Sequence, residues 1–464
     1  MIVSPTIVLI DPTADLQAAI DDAPDYATIR LAPGIYTAPD AGGFVIDHPI
    51  TIEGSGNEYI YDSLLYSTPK VLGTVLRPYN AGVTADGAKD STVITLTVTG
   101  DRLSHVVLKN FSIENPYGQP AVGTGDGIRI DGSGYTTLCR VENVSVYFMG
   151  RDGFHAEGVS LGDSYDQSTI SRCQFAGCAR HGAYLNFCTD DYIDECTFVG
   201  NLQCGLVIYQ SSGIHQEHCL YNGNGSSFVA DGSNDWFGTA SNWPYYHQAQ
   251  CYVQSSSRIT INRCDFEVWN LKNVPHAIGV EGMDGGCITN CECFNASYSA
   301  AAVEKTFIML ASDARAVLIS GNQVSQSDNW LYVRGQAGNL GNTILPAACT
   351  RFDPVLDTAP NKLVLNDNLD TDSSGTPTGG NLVMLPLETS ASSLYKGNFA
   401  AGLKLPVISA ASAFSAQKYD GTLACAADEK AMKIYQDGSW QTVAAGLVSI
   451  DGDIVTYDDD PVSY

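Results

Sequence analysis

Four segments of the chain are variations on one phrase: Asp126–Gly132 (DGIRIDG), Asp152–Gly158 (DGFHAEG), His181–Phe187 (HGAYLNF) and Cys204–Gln210 (CGLVIYQ). Each has a turn residue, a glycine, then strict alternation of apolar with polar or aromatic side chains. Period-two alternation marks a strand with one face buried. Recurrence of such a strand at a near-regular interval demands stacked units, because one unit alone has nothing against which to bury its apolar face.

The repeat overrides the prior that 464 residues form about three domains. With 45 glycines and few long helical patterns, the chain reads as β structure rich in turns. The net charge of −27 argues against nucleic acid and anionic membrane surfaces as partners. No run of about 18 apolar residues is present to span a bilayer. The N-terminus lacks the basic and apolar regions of a signal peptide. The 14 cysteines are therefore expected to be reduced thiols of a chain made in a reducing cytoplasm.

From residue 106 to about 345 the repeat can be counted. A short strand bearing Asn or Cys precedes each longer one, at Asn110, Asn143, Cys173, Cys196, Cys219, Cys264, Cys291 and Asn322. The intervals are 33, 30, 23, 23, 45, 27 and 31 residues, a base coil of about 22 with loop insertions. Cysteines at one coil position read as small, stackable core residues. One thiol per coil and no C-x-x-C pair make a poor zinc geometry, so no metal and no cofactor is expected.

Counting ten residues back from Cys196, Cys219, Cys264, Cys291 and Asn322 gives Asn186, Tyr209, Gln254, Glu281 and Ser312; the equivalents in the two earlier coils are Asp131 and Glu157. Two residues before these lie Arg129, His155, Tyr184, Val207, Tyr252, Gly279 and Leu310. The positions between and before them are apolar throughout, from Ile128 and Ile130 onward, so two inward and two outward columns are expected. The 45-residue interval then holds one coil plus an insertion, 222–249, that contains Trp236, Phe237, Trp243, Tyr245 and Tyr246 with Asp231 and Asp235. Such aromatic faces beside carboxylates suit stacking on sugar rings. A loop with its own small core is the equal alternative.

The opening (DLQAAIDDAPDYATIRLAPGIYT, then HPITIEGSG) resembles the N-terminal cap of the pectin-lyase-like right-handed parallel β-helix superfamily. Thr13 is expected to cap a short helix, Ala14 to Asp22. Near the other end, Asp428–Val443 carries KIYQDGSW with Asp437-Gly438 as a hairpin turn, and resembles the C-terminal β segments of phage tail proteins. Together these resemblances imply an all-β, single-stranded right-handed parallel β-helix with a short α-helical cap and a small C-terminal β module. The expected boundaries are 1–50 for cap and first coil, 51–345 for the β-helix, 346–405 for a transition and 406–464 for the module. The resemblance further implies a virion tailspike. It would be a homotrimer, accompanied by other virion or tail proteins, that binds and depolymerises a bacterial surface polysaccharide.

The chemistry is expected where the outward columns are richest, with Asp131, Glu157 and His155 catalytic. Arg129, Tyr184, Tyr209, Trp236, Trp243, Asp231 and Asp235 are the expected substrate-binding residues. Asp131 and Glu157 on adjacent coils would stand about 5 Å apart, near the spacing of a retaining glycosidase pair. Like charges that close are expected to raise one pKa. A second route, β-elimination, would use His155 or Tyr184 as base and Arg129 against a uronate carboxylate. Hydrolysis is favoured over elimination, and a spike that binds without cutting is the alternative.

Overall fold

The computed structural model describes residues 6–344 apart from short stretches, the longest being 61–69, 226–247, 268–275 and 295–304, and beyond residue 344 only paired strands. The chain divides into two compact units, Met1–Leu387 and Glu388–Tyr464. Among the described residues no helix is long and apolar enough to cross a membrane.

In the first unit the alternating segments stack as parallel strands, each coil hydrogen-bonded to the next. One sheet of 11 strands runs through Phe44–Ile46, Ile94–Thr97, Ile128–Asp131, Phe154–Glu157, Ala183–Asn186, Leu206–Tyr209, Ala249–Gln254, His276–Glu281 and Lys305–Leu310. A second sheet of 21 strands forms the other long wall. A third, of Arg102–Ser104, Tyr135–Thr137 and Tyr165–Asp166, turns the corner between them. Parallel strands joined by crossovers wind right-handed, and the result is a right-handed parallel β-helix.

Side chains alternate in and out as the sequence requires. Ile128, Phe154, Ala183, Leu206, Cys251 and Ile278 form one buried inward column; Ile130, Ala156, Leu185, Ile208, Val253 and Val280 form the other. Across the core, Phe175, Phe198, Tyr221 and Phe266 stack at centroid distances of 5.5, 4.9 and 4.7 Å. Every cysteine side chain described is a free thiol, and all but the half-buried Cys287 are buried. The outward columns follow the expected pairing, Arg129 with His155 with Tyr184 and Asp131 with Glu157 with Asn186.

Three details differ from the sequence reading. Phe111 pairs with Val144, and Ser145 with Gln174, so the cysteine column is headed by Phe111 and Val144 rather than by Asn110 and Asn143. Those asparagines sit one residue earlier, at positive φ (62° and 54°), in line with Arg172, Glu195, His218, Arg263 and Asn290. That column is a left-handed turn, which Asn tolerates through its short polar side chain. At the far end Gly279 pairs with Met309 and Val280 with Leu310, so the last coil is one residue out of the expected frame; Ser312 lies outside the described residues. At the near end the helix is Leu16–Asp21, capped by Asp15, whose carboxylate accepts the Ala18 N–H at 3.1 Å. Thr13 instead bonds to Asp11.

The helix buries Leu16 and Ile20 over the end of the stack. Its Gln17 side chain donates to the Val45 carbonyl (3.0 Å) and accepts the Val45 N–H (2.8 Å). Val45 is the middle residue of the edge strand Phe44–Ile46. One side-chain amide thus stands in for the neighbouring strand that an edge lacks.

In the second unit the strands Val407–Ile408, Leu423–Ala426, Ala431–Gln436 and Ser439–Thr442 form one sheet. Gln436 pairs with Ser439 and Tyr435 with Trp440 in antiparallel register; the expected turn residues Asp437 and Gly438 lie outside the described residues.

Candidate functional site

The outward face of the 11-stranded sheet carries the candidate residues, and each phrase of the repeat contributes a turn residue, a glycine and two outward side chains. The glycine is required at Gly127, Gly153 and Gly182, where an added Cβ would fall 2.5–2.6 Å from the carbonyl oxygen of the next coil's glycine. Close stacking there draws the turn residues of successive coils together.

Those turn residues form a staggered ladder of buried ion pairs. Arg151 Nε donates to Asp126 at 2.8 Å and its Nη2 makes a second, shorter bond to the same carboxylate. One coil on, Arg180 grips Asp152 in the same two-pronged way, Nε at 2.9 Å. Backbone N–H groups add to this: that of Asp152 donates to Asp126, and that of His181 to Asp152. Both carboxylates are fully buried. Burial alone would lift Asp152, but the Arg180 charge and the hydrogen bonds from Arg180 and His155 overcome it and hold the group well below the ordinary carboxylate range.

His155 links this ladder to the surface. Its Nδ1 lies 2.7 Å from Asp152 and its Nε2 3.1 Å from Glu157. The ring is 2% exposed, whereas Glu157 is 53% exposed. The Arg180 guanidinium Nη2 also lies 3.3 Å from Nδ1. Tyr184 stacks on the ring at 5.1 Å and 10°, and the Arg180 guanidinium lies 5.1 Å from the Tyr184 centroid. His181, in contrast, accepts the Cys204 N–H at Nδ1 (3.2 Å). Burial drives its pKa well below the usual imidazole value, which agrees with an unprotonated acceptor nitrogen.

The expected pKa pattern is corrected. Glu157 is lowered, not raised: the His155 hydrogen bond outweighs partial burial, and the charges of His155, Arg151 and Arg180 add to it. Asp131 pairs in register with Glu157, about 4.8 Å away along the stack. It is half-buried, as is Arg129, and among the described residues neither side chain makes a hydrogen bond or ion pair. Tyr184 is not an accessible base. It is 2% exposed, and burial lifts its phenol well above the usual range. It joins Cys204, Val207, Ala249 and Tyr252 in a second buried apolar cluster on the outer side of the sheet. Tyr209 stays half-buried in the column of Glu157 and Asn186. Trp236, Trp243, Asp231 and Asp235 lie outside the described residues.

Asp126, Asp152 and His155 bring three ligand atoms within 4.8 Å of one another. Two guanidinium groups already occupy both carboxylates, and a cation entering would face their charge. The donor set fits an ion-pair ladder rather than a metal centre. The sequence signal for it is an Arg directly before the turn residue in two successive coils, Arg151-Asp152-Gly153 and Arg180-His181-Gly182. It is easily missed because each Arg serves the acid of the preceding coil.

A family model described as a right handed beta helix region matches residues 96–266. No curated protein matches the sequence. Among solved structures, DFA-IIIase from Arthrobacter chlorophenolicus A6 in complex with GF2 aligns with a TM-score of 0.54 and 12% identity, covering 80% of this chain and 93% of that chain. The A-module of the mannuronan C-5 epimerase AlgE4 from Azotobacter vinelandii aligns with a TM-score of 0.50 and 16% identity, covering 81% and 97%. At such identities the likeness is one of fold.

Proposed function

We propose that this β-helix is a polysaccharide depolymerase of the phage tailspike type, a glycoside hydrolase acting on a bacterial surface polysaccharide. Glu157 is its ionised carboxylate and Asp131 the partner acid one coil away. One observation carries the reading. An exposed glutamate is held anionic and aimed by a histidine whose other nitrogen is fixed to a buried, arginine-clamped aspartate, and a second carboxylate stands beside it in register. Carboxyl groups about 5–5.5 Å apart suit a retaining mechanism. Glu157 attacks the anomeric carbon while Asp131 protonates the departing oxygen, and Asp131 then draws the proton from the water that releases the sugar. Elimination fits less well, because both His155 nitrogens are engaged and the Tyr184 phenol is buried and hard to ionise.

The sugar-polymer class draws further support from the name of the epimerase neighbour, which acts on mannuronan. The tailspike setting draws on the KIYQDGSW segment and its antiparallel strand pair. A homotrimer held on a virion beside other tail proteins belongs to the same reading, and sedimentation of the purified chain tests it. Incubation with purified capsular or O-antigen polysaccharides, followed by gel filtration, tests the activity. A fall in polymer size without new ultraviolet absorbance is the expected result. Absorbance from an unsaturated product would mean a lyase, and binding without any fall in size would leave a receptor-binding spike. Glu157→Gln and Asp131→Asn are each expected to lower turnover by at least 10²-fold.

A further inference from the structure

The five stacked cysteines Cys173, Cys196, Cys219, Cys264 and Cys291 are a site of their own. They occupy one column on successive coils, between Val144 and Asn322. All five are free and at most 2% exposed. Each thiol makes the same pair of contacts. One is to the carbonyl two residues before it (Ser171, Asp194, Glu217, Asn262 and Thr289, at 3.2, 3.3, 3.2, 3.4 and 3.4 Å). The other is to a carbonyl of the preceding coil (Val141, Ile170, Ile193, Gln216 and Ile261, at 3.4, 3.5, 3.7, 4.0 and 3.6 Å). Identical contacts mean one shared rotamer, with successive Cβ–Sγ bonds parallel and the sulfurs one coil, about 4.8 Å, apart.

This geometry opposes a disulfide and suits a two-coordinate metal. A disulfide needs sulfurs about 2.05 Å apart and Cβ–S bonds turned about 90° to each other. Parallel, stacked thiols offer neither. A linear thiolate–metal–thiolate unit with bonds of about 2.3 Å spans about 4.6 Å, close to the coil spacing, and it leaves each Cβ–S bond nearly perpendicular to the stack. Zinc wants four tetrahedral ligands, and adjacent coils supply two. We infer that adjacent thiols of this column bind soft, thiophilic divalent cations that prefer linear coordination. Two S–H bonds break, two S–metal bonds form and two protons leave to solvent. The product is neutral, as an apolar core requires. Five thiols in a row hold two such ions.

Mercuric ion is the probe, added to the folded, reduced full-length chain and counted by native mass spectrometry. Cys196→Ala/Cys264→Ala leaves three column thiols with no adjacent pair. Cys173→Ala/Cys291→Ala also removes two thiols but keeps three adjacent ones. The wild type is expected to take two more ions than the first variant, and the second variant one more. X-ray absorption on the wild type is expected to find two sulfur neighbours per column ion. Equal uptake by the two double variants overturns the proposal, as does three- or four-sulfur coordination. If an alanine pair fails to fold, the corresponding serine pairs give the same comparison.

Discussion

Asp191 is a fully buried carboxylate that is only half satisfied. Its Oδ1 accepts the Ser168 N–H at 2.8 Å, and its Oδ2, also buried, finds no partner among the described residues. Burial lifts its pKa well above the ordinary value. The stability this group allows is therefore full below the unfolded value of about 3.9 and is lost as pH rises through the folded value, so at neutral pH the residue is a cost. Asp191→Asn keeps the bond to Ser168 and cannot ionise. It is expected to raise stability at pH 7 by about 1–3 kcal/mol and to have little effect at pH 4, as read from urea unfolding at both pH values. Asp152 works in the opposite sense. Its folded pKa is depressed, so its contribution is present above about pH 4 and is lost as pH falls below that. Asp152→Asn strands a buried Arg180 and is expected to lose about 3–5 kcal/mol. Gln substitution of the exposed Glu157 should leave the melting temperature nearly unchanged. A large drop there would show that the carboxylate serves the fold rather than a substrate.

At the scale of the element, the aromatic column is one joint between coils. Phe198 is fully buried and stacked between Phe175 and Tyr221, so Phe198→Ala is expected to cost about 3–5 kcal/mol in denaturant titrations. The left-handed column behind the cysteines has its own rule. Arg263 holds φ of 52°, and a β-branched Arg263→Val should lose roughly 1–2 kcal/mol, whereas Arg263→Asn should not. The same column explains which parts of the fold were legible in the sequence. Period-two alternation gave the inward and outward columns from Ile128 to Val280, because burial of one face leaves no freedom of register. Asn110 and Asn143 misled by one residue, since a polar turn residue and a small core residue look alike when only spacing is read. The last coil slipped because no cysteine marks it. The Arg151–Asp126 and Arg180–Asp152 clamps were not legible at all: their partners are 25 and 28 residues apart, and nothing within one repeat unit pairs them. Glu157 and His155 could be named as candidates, but the direction of the glutamate's shift depended on which nitrogen faced which acid.

At the scale of the molecule, a solenoid must close its ends, and here one glutamine does much of that work. Gln17→Leu would keep the helix but leave the Val45 N–H and carbonyl open. That variant is expected to associate through the bared edge strand, measurable as a concentration-dependent rise in mass by light scattering. The same stacking logic governs the middle of the stack. Tyr209 pairs with Gln254 and Asn222 with Glu267, just as their predecessors pair with each other, although 45 residues separate these coils instead of 23. The scaffold therefore does not register what the chain does between 226 and 247. Lengthening a surface excursion costs little, since closure entropy grows only with the logarithm of length. The spacing between two coils can therefore change in chain length while the columns on either side, those of Glu157 and His155 among them, keep their register.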